Sequence, residues 1–295
     1  MAFRNYLADL TVVYIYIMRF KIVVFILFLI VSGSVNAQLE ETFSHRGEYG
    51  FSVGTGHYFG DLNPNASIGH PKFAAGIFYL RQLNNYVGIK VNADYTFLGY
   101  SDSYSDNIVQ KIRNLSFNTD VYELSVTGNF NFFKFFPLIP QYRFTPYLSA
   151  GLGAIYFNPY TYLGGQRYDL NPLKTEGQAS PYSLVSWVVP IGFGVKYNVT
   201  DRINIFSELT YRFTGTGYLD DVNGTYAGAA SFDAGSIAYQ LQDRSNVYTI
   251  PNITTPIGIK GRQRGNGRND SYATFQVGIS FNLQEGYNCP AYSTY

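Results

Sequence analysis

Residues 185–214 constrain what this chain can fold into more than any other stretch. Val185, Trp187, Val189, Ile191, Phe193, Val195 and Tyr197 fall at every second position, with Gly192, Gly194, Lys196 and Asn198 between them. After a tight turn at Thr200 and Asp201 the alternation resumes, with Ile203, Ile205, Leu209, Tyr211 and Phe213 opposed to Asn204, Glu208, Thr210 and Arg212. A period of two belongs to strands, so the stretch predicts a long hairpin with one apolar and one polar face. Strands of soluble sandwiches average about 5 to 6 residues, and these run to roughly twice that. A transmembrane strand needs about 9 to 11 tilted residues, aromatic side chains at both interfaces and a polar lumen. The hairpin meets that description.

The same alternation recurs along the chain and predicts eight strands. The first carries Tyr49, Phe51 and Val53, and the second Phe73, Ala75, Ile77 and Tyr79. Val87, Ile89, Val91, Ala93, Tyr95 and Phe97 mark the third; Tyr122, Leu124, Val126, Phe130 and Phe132 mark the fourth. Residues 144–157 form the fifth, the hairpin supplies the sixth and seventh, and Ala273, Phe275, Val277, Ile279, Phe281 and Leu283 mark the eighth. An even strand number suits closure. Connections at 61–71, 99–120, 158–182 and 215–270 are long, whereas those at 84–86, 133–142 and 200–201 are short. Long and short alternate, as extracellular loops and periplasmic turns do. The expected fold is therefore all-β: an eight-stranded antiparallel transmembrane β-barrel of outer-membrane type with long extracellular loops and short periplasmic turns. No internal repeat interrupts it.

Eight strands enclose only enough room for side chains. By the alternation Lys90, Asp94, Glu123, Lys196, Glu208 and Arg212 all point inward. Buried charges persist only when paired, so these predict a polar network filling the lumen, a structural plug rather than a proton or ion path.

Composition agrees. Only 14% of residues are charged, 18% are aromatic, and the formal net charge is +1. That balance points to no nucleic-acid partner and no acidic tail. A single cysteine, Cys289, excludes an internal disulfide and a cysteine-based metal cluster. The N-terminal part reads as an export signal over residues 18–37: a basic start at Arg19 and Lys21, an apolar run 22–31, and Val35-Asn36-Ala37 before Gln38. Residues 1–17 then read as an upstream extension, and 38–295 as one barrel domain held in the cell outer membrane among its lipids.

Little in the chain suggests catalysis, a cofactor or a metal. Of His45, His57 and His70, only His57 near the end of the first strand or His70 in the first loop suits a Ser/His/Asp arrangement, and no motif supplies the nucleophile. Asp220-Asp221-Val222-Asn223-Gly224 lacks the acidic spacing of a calcium loop. Lys260, Arg262, Arg264 and Arg268 form a basic run before the last strand. It is expected to pair with Asp220, Asp221 and Asp270 and fold the loops over the barrel mouth; binding lipid phosphates is the competing use.

Several loop segments together carry a family resemblance. They are Phe59-Gly60-Asp61-Leu62-Asn63, Arg113-Asn114-Leu115-Ser116-Phe117 with Asp120-Val121-Tyr122-Glu123-Leu124, Arg143-Phe144-Thr145-Pro146-Tyr147-Leu148, Pro172-Leu173-Lys174-Thr175-Glu176-Gly177-Gln178, Tyr218-Leu219-Asp220-Asp221-Val222 and Arg264-Gly265-Asn266. With these the chain resembles the PorG-like outer-membrane barrels associated with the type IX secretion system of Bacteroidetes. Gly217 departs from the resemblance, which implies an acidic residue there. The resemblance implies a non-catalytic anchor or accessory component that contacts the periplasmic ring, made of a lipoprotein and a soluble protein. It would do so through the turn 133–142, with Phe135, Phe136, Pro137 and Pro140, or through the tail 284–295. A general structural or lipid-binding barrel, and a lipid-modifying enzyme using His57, are the alternatives.

Overall fold

The computed structural model describes residues 45–137, 140–245 and 257–284. The expected signal at 18–37, the extension 1–17, Cys289 and the tail beyond Gln284 lie outside the described residues.

The described residues form ten strands: β1 (His45–Phe59), β2 (Lys72–Gln82), β3 (Val87–Ser101), β4 (Ser116–Asn131), β5 (Phe144–Tyr156), β6 (Pro159–Leu163), β7 (Gln166–Asp169), β8 (Val185–Thr200), β9 (Ile203–Thr214) and β10 (Ser271–Gln284). Eight of them close into an antiparallel barrel in the order β1, β2, β3, β4, β5, β8, β9, β10, and β10 pairs back onto β1. The register puts like with like. Phe51 on β1 lies opposite Ile77 on one side and Ile279 on the other, and Val126 on β4 lies between Val91 and Leu152. Closure leaves no long barrel edge to attract another strand.

Side chains at one parity face outward and are apolar. Phe51, Ile77, Val91, Leu124, Val126, Leu152, Ile191, Phe193, Leu209, Phe275 and Val277 are all exposed. A continuous apolar belt of this kind far exceeds the patches that water-soluble monomers tolerate. Lipid covers it in an outer-membrane barrel. Aromatic pairs rim the belt: Tyr49 stacks on Phe281 at 5.5 Å near the short-turn end, and Phe59 stacks on Tyr211 at 5.9 Å near the long-loop end. Short turns are tied locally. The Asn84 side chain accepts from the Tyr86 and Val87 amides at 2.8 Å each, and Thr200 Oγ1 accepts from the Ile203 amide at 3.1 Å.

Toward the long loops the strands outrun the bilayer. β3 and β4 reach Ser101 and Ser116, so the expected loop 99–120 shrinks to 102–115. It contains a short helix, Ile108–Arg113, started by the Asn107 side chain on the Val109 amide (2.9 Å) and ended by Asn114 at φ 54°. The expected loop 158–182 also contains regular structure. β6 and β7 form a hairpin turned at Gly164 and Gly165, both at positive φ, and β6 pairs with the start of β4. Inside this upper section the filling turns apolar: Leu98, Tyr100, Phe117, Val121, Ile155, Phe157 and Val188 pack with Leu62, Leu219, Val222 and Leu241 from the loops. The barrel thus has a polar lumen and a separate apolar core beneath its loops.

Candidate functional site

Strand alternation brings the expected inward charges into three layers. Nearest the long-loop end, Arg212 Nε donates to Glu123 Oε2 at 2.5 Å, and the same guanidinium lies 3.6 Å from Asp94. Tyr272 donates to Glu123 at 2.9 Å, and Arg212 Nη1 to Thr274 at 2.6 Å. In the middle layer Lys90 Nζ donates to Glu208 Oε2 at 2.8 Å. Tyr147 and Ser149 complete that carboxylate at 2.9 and 2.8 Å. Nearest the short turns, Lys196 pairs with Glu48, which also accepts from Asn204 and Ser280 at 2.6 Å each. All three layers are nearly or wholly buried.

Glu48 is the member that sequence reasoning missed. It is in phase with Gly50, Ser52 and Gly54 on the inward face, so it becomes visible once β1 is extended below Tyr49. Between Ser52, Lys90, Asp94, Glu208 and Arg212 an interior void of about 20 Å³ remains, room for roughly one water. Chemically the lumen is a set of ion pairs in which Glu123 Oε1 and Gln276 Nε2 have no hydrogen-bond partner among the described residues. Its groups hold one another in place rather than face a path.

The loops form a second constellation above it. Arg113 closes on Asp102 through Nε (2.8 Å) and Nη2 (2.7 Å), and reaches the carbonyls of Arg264 (2.9 Å) and Asp61 (3.1 Å). Glu176 accepts from the backbone amides of Asn223 and Gly224 at 3.0 Å and from Arg264 Nη1 at 3.3 Å. Asp221, at φ 66°, accepts from Thr175 at 2.5 Å and Tyr182 at 2.8 Å, with Arg264 3.7 Å away. Burial pushes the Asp221 carboxyl up to about 6, against the pull of Arg264. Gly60 is required by close approach: a Cβ there would collide with Asp270 Oδ1 and Tyr58 Oη.

Two expectations about this head need correction. Of the basic run only Arg264 turns inward, whereas Lys260, Arg262 and Arg268 are exposed. A cation is buried only where a matched partner waits, and Arg264 alone meets both Glu176 and Asp221. Asp220 and Asp270 meet no cation among the described residues. Both accept instead from the Tyr58 hydroxyl, at 2.6 and 2.9 Å.

The turn expected to present aromatic residues is divided. Phe135 is 1% exposed and faces inward, its ring 5.1 Å from Lys196 Nζ, so it closes the short-turn end of the lumen instead of projecting from it. Pro137 is buried too, Phe136 is half-buried, and Phe133, Tyr142 and Pro140 are exposed. His57 lies on the outward face beside Thr55 Oγ1 at 3.4 Å, with no carboxylate partner among the described residues. His70 stacks on Tyr104 at 3.7 Å.

The model of a domain of unknown function, DUF6089, matches residues 20–254. The chain belongs to this family. The DUF6089 match takes in the barrel as far as β9 and part of the last long loop. No curated protein sequence matches the chain. Among solved structures it is similar to Neisserial surface protein A, with 13% identity, 81% of this chain and 99% of that one covered, and a TM-score of 0.41. It is similar to OprG of Pseudomonas aeruginosa at 11% identity, with 82% and 99% covered and a TM-score of 0.38. Ail, the attachment invasion locus protein of Yersinia pestis crystallised with the heparin analogue sucrose octasulfate, gives 11% identity, 81% and 99% coverage and a TM-score of 0.38. The fold of this DUF6089 member rests on its own strand pairing, closed and antiparallel around all eight barrel strands.

Proposed function

We propose that this protein is a non-catalytic, non-conducting outer-membrane barrel that serves as an anchor or accessory component of the type IX secretion machinery. The mature chain would begin at Gln38, after a cleaved export signal, and form a single domain. One observation carries the reading. The separated segments behind the PorG-like resemblance supply Asp61, Arg113, Glu176, Asp221 and Arg264, which are joined in one loop network, and Asp220, which is bonded beside it to Tyr58. Packing of the barrel does not require such residues, so a chain that keeps them together has a use for a shaped head.

On the short-turn side, contact with a periplasmic ring lipoprotein and its soluble partner would fall to Phe136 and Pro140, joined by the exposed Phe133 and Tyr142, since Phe135 and Pro137 are covered. All four of these residues lie within the one turn, 133–142. A second reading, a general structural or lipid-binding barrel, draws on the apolar belt alone.

Affinity purification of the tagged barrel from solubilised outer membranes, with copurifying proteins identified by mass spectrometry, separates the two. Recovery of the ring lipoprotein and its soluble partner supports the machine role. Recovery of the barrel alone, under conditions where the ring itself stays intact, overturns it in favour of the general barrel.

A further inference from the structure

Where the last long loop meets β1, one hydroxyl serves two acids. Tyr58 Oη lies 2.6 Å from Asp220 Oδ2 and 2.9 Å from Asp270 Oδ1, and carries a single hydrogen. Asp220 is 1% exposed and Asp270 2%. Among the described residues their remaining donors are backbone: the Val222 amide to Asp220 Oδ1 at 2.9 Å and the Leu219 amide to Asp270 Oδ2 at 3.0 Å. Asp61, 7% exposed, faces them from the first loop; its Oδ1 accepts from the Asn266 amide at 2.9 Å, while Oδ2 has no partner among the described residues.

The cations of the head are committed elsewhere, Arg113 to Asp102 and Arg264 to Glu176 and Asp221. Arg113 reaches Asp220 only as a longer-range attraction, which Asp61 opposes. Two ionised carboxylates against one donor in a dry site repel strongly, and a proton held between them removes the repulsion. Among the described residues, no group of three acidic, histidine or cysteine side chains is arranged to hold a metal ion.

We propose that Asp220 and Asp270 share a proton, and that this proton latches the loop 215–270 onto the outer end of β1. Burial holds both carboxyls well above the ordinary carboxylate range, with Asp220 adding to the effect on Asp270 and the Tyr58 bond working against it. The folded head therefore binds more protons than the opened one. Its stability is full below the ordinary carboxylate range and falls as pH rises through the raised values. The latch is tight in acid and loosens in alkali.

Hydrogen exchange of the whole barrel in lipid nanodiscs tests this, read at the Leu219 and Val222 amides and corrected for the intrinsic rate. Between about pH 5 and about pH 9, protection in the wild type should fall by up to about tenfold per pH unit. In Asp220→Asn and in Asp270→Asn it should stay level. A level wild-type profile, or an unchanged slope in both variants, overturns the proposal. So does a slope abolished by added calcium ions, which would make a metal ion the neutralising species. If neither variant inserts, ¹³C-labelled aspartate carboxyls in the unmutated chain decide the matter. Two loop carboxyls titrating together above the ordinary range support the shared proton, and all of them titrating within it refutes it.

Discussion

Arg212 on β9 spans the lumen to Glu123 on β4 at 2.5 Å, while holding Asp94 on β3 at 3.6 Å. One guanidinium thus joins three strands of the barrel wall. Replacing it by Met leaves two buried carboxylates without their cation, which should cost about 3–5 kcal/mol. The triple variant R212M/E123Q/D94N should recover most of the loss. Urea unfolding in lipid vesicles measures both, followed through Trp187, the one tryptophan of the chain.

The outward face should respond by depth. Val126, near the middle of the belt, pairs with Val91 and Leu152. Val126→Arg should destabilise the barrel by about 2–4 kcal/mol, whereas Val199→Arg, beside a short turn, should cost about 0–1. Equal costs at the two positions would mean that no bilayer midplane lies at Val126.

Arg264 carries the pH-dependent part of the loop head beyond the proposed latch. Its removal leaves Asp221 and Glu176 facing each other within a buried site. Arg264→Ala should weaken the head by about 3–5 kcal/mol in alkaline solution. Burial already pushes Asp221 up to about 6, and without the guanidinium it rises further. A carboxyl raised in the folded state favours folding below the ordinary carboxylate range and less so as pH rises, so the variant's deficit should shrink in acid. Limited proteolysis of the loop 215–270 at several pH values reads this directly.

At the short-turn end two adjacent phenylalanines should behave oppositely. Phe135→Ala opens the base of the lumen next to Lys196 and should cost about 3–5 kcal/mol in unfolding. Phe136→Ala should cost much less and, under the proposed anchoring role, should instead reduce recovery of the ring proteins in the affinity purification.

Much of this was legible in the sequence, for a specific reason. A closed barrel with lipid outside and charge inside imposes a period of two on every strand, and Lys90, Glu208 and Arg212 announce themselves by falling in the wet phase of strands such as β3 and β9. Which groups pair is a matter of register around the closure, which alternation does not contain; Lys196 finds Glu48 on β1, more than a hundred positions away in the chain. The hairpin of β6 and β7 was hidden because its strands are short, although Gly164-Gly165 between Tyr162 and Arg167 is a turn signal. In the loops, four basic residues share one stretch, and nothing in their spacing tells that Arg264 alone goes inside. Phe135 and Phe136 are likewise indistinguishable in sequence, yet one seals the lumen and the other faces outward in part.

Paired charges fill the lumen of the barrel and close it. The most direct measurement of that closure is the conductance of the purified protein in a planar lipid bilayer, after its heat-dependent gel mobility has shown the barrel to be folded. The ion-paired layers and the void of about 20 Å³ between them predict a flat current trace at every voltage below membrane breakdown. Discrete, reproducible steps of a single size would contradict it, and would make the charges of Lys90, Glu208 and Arg212 the lining of a pore.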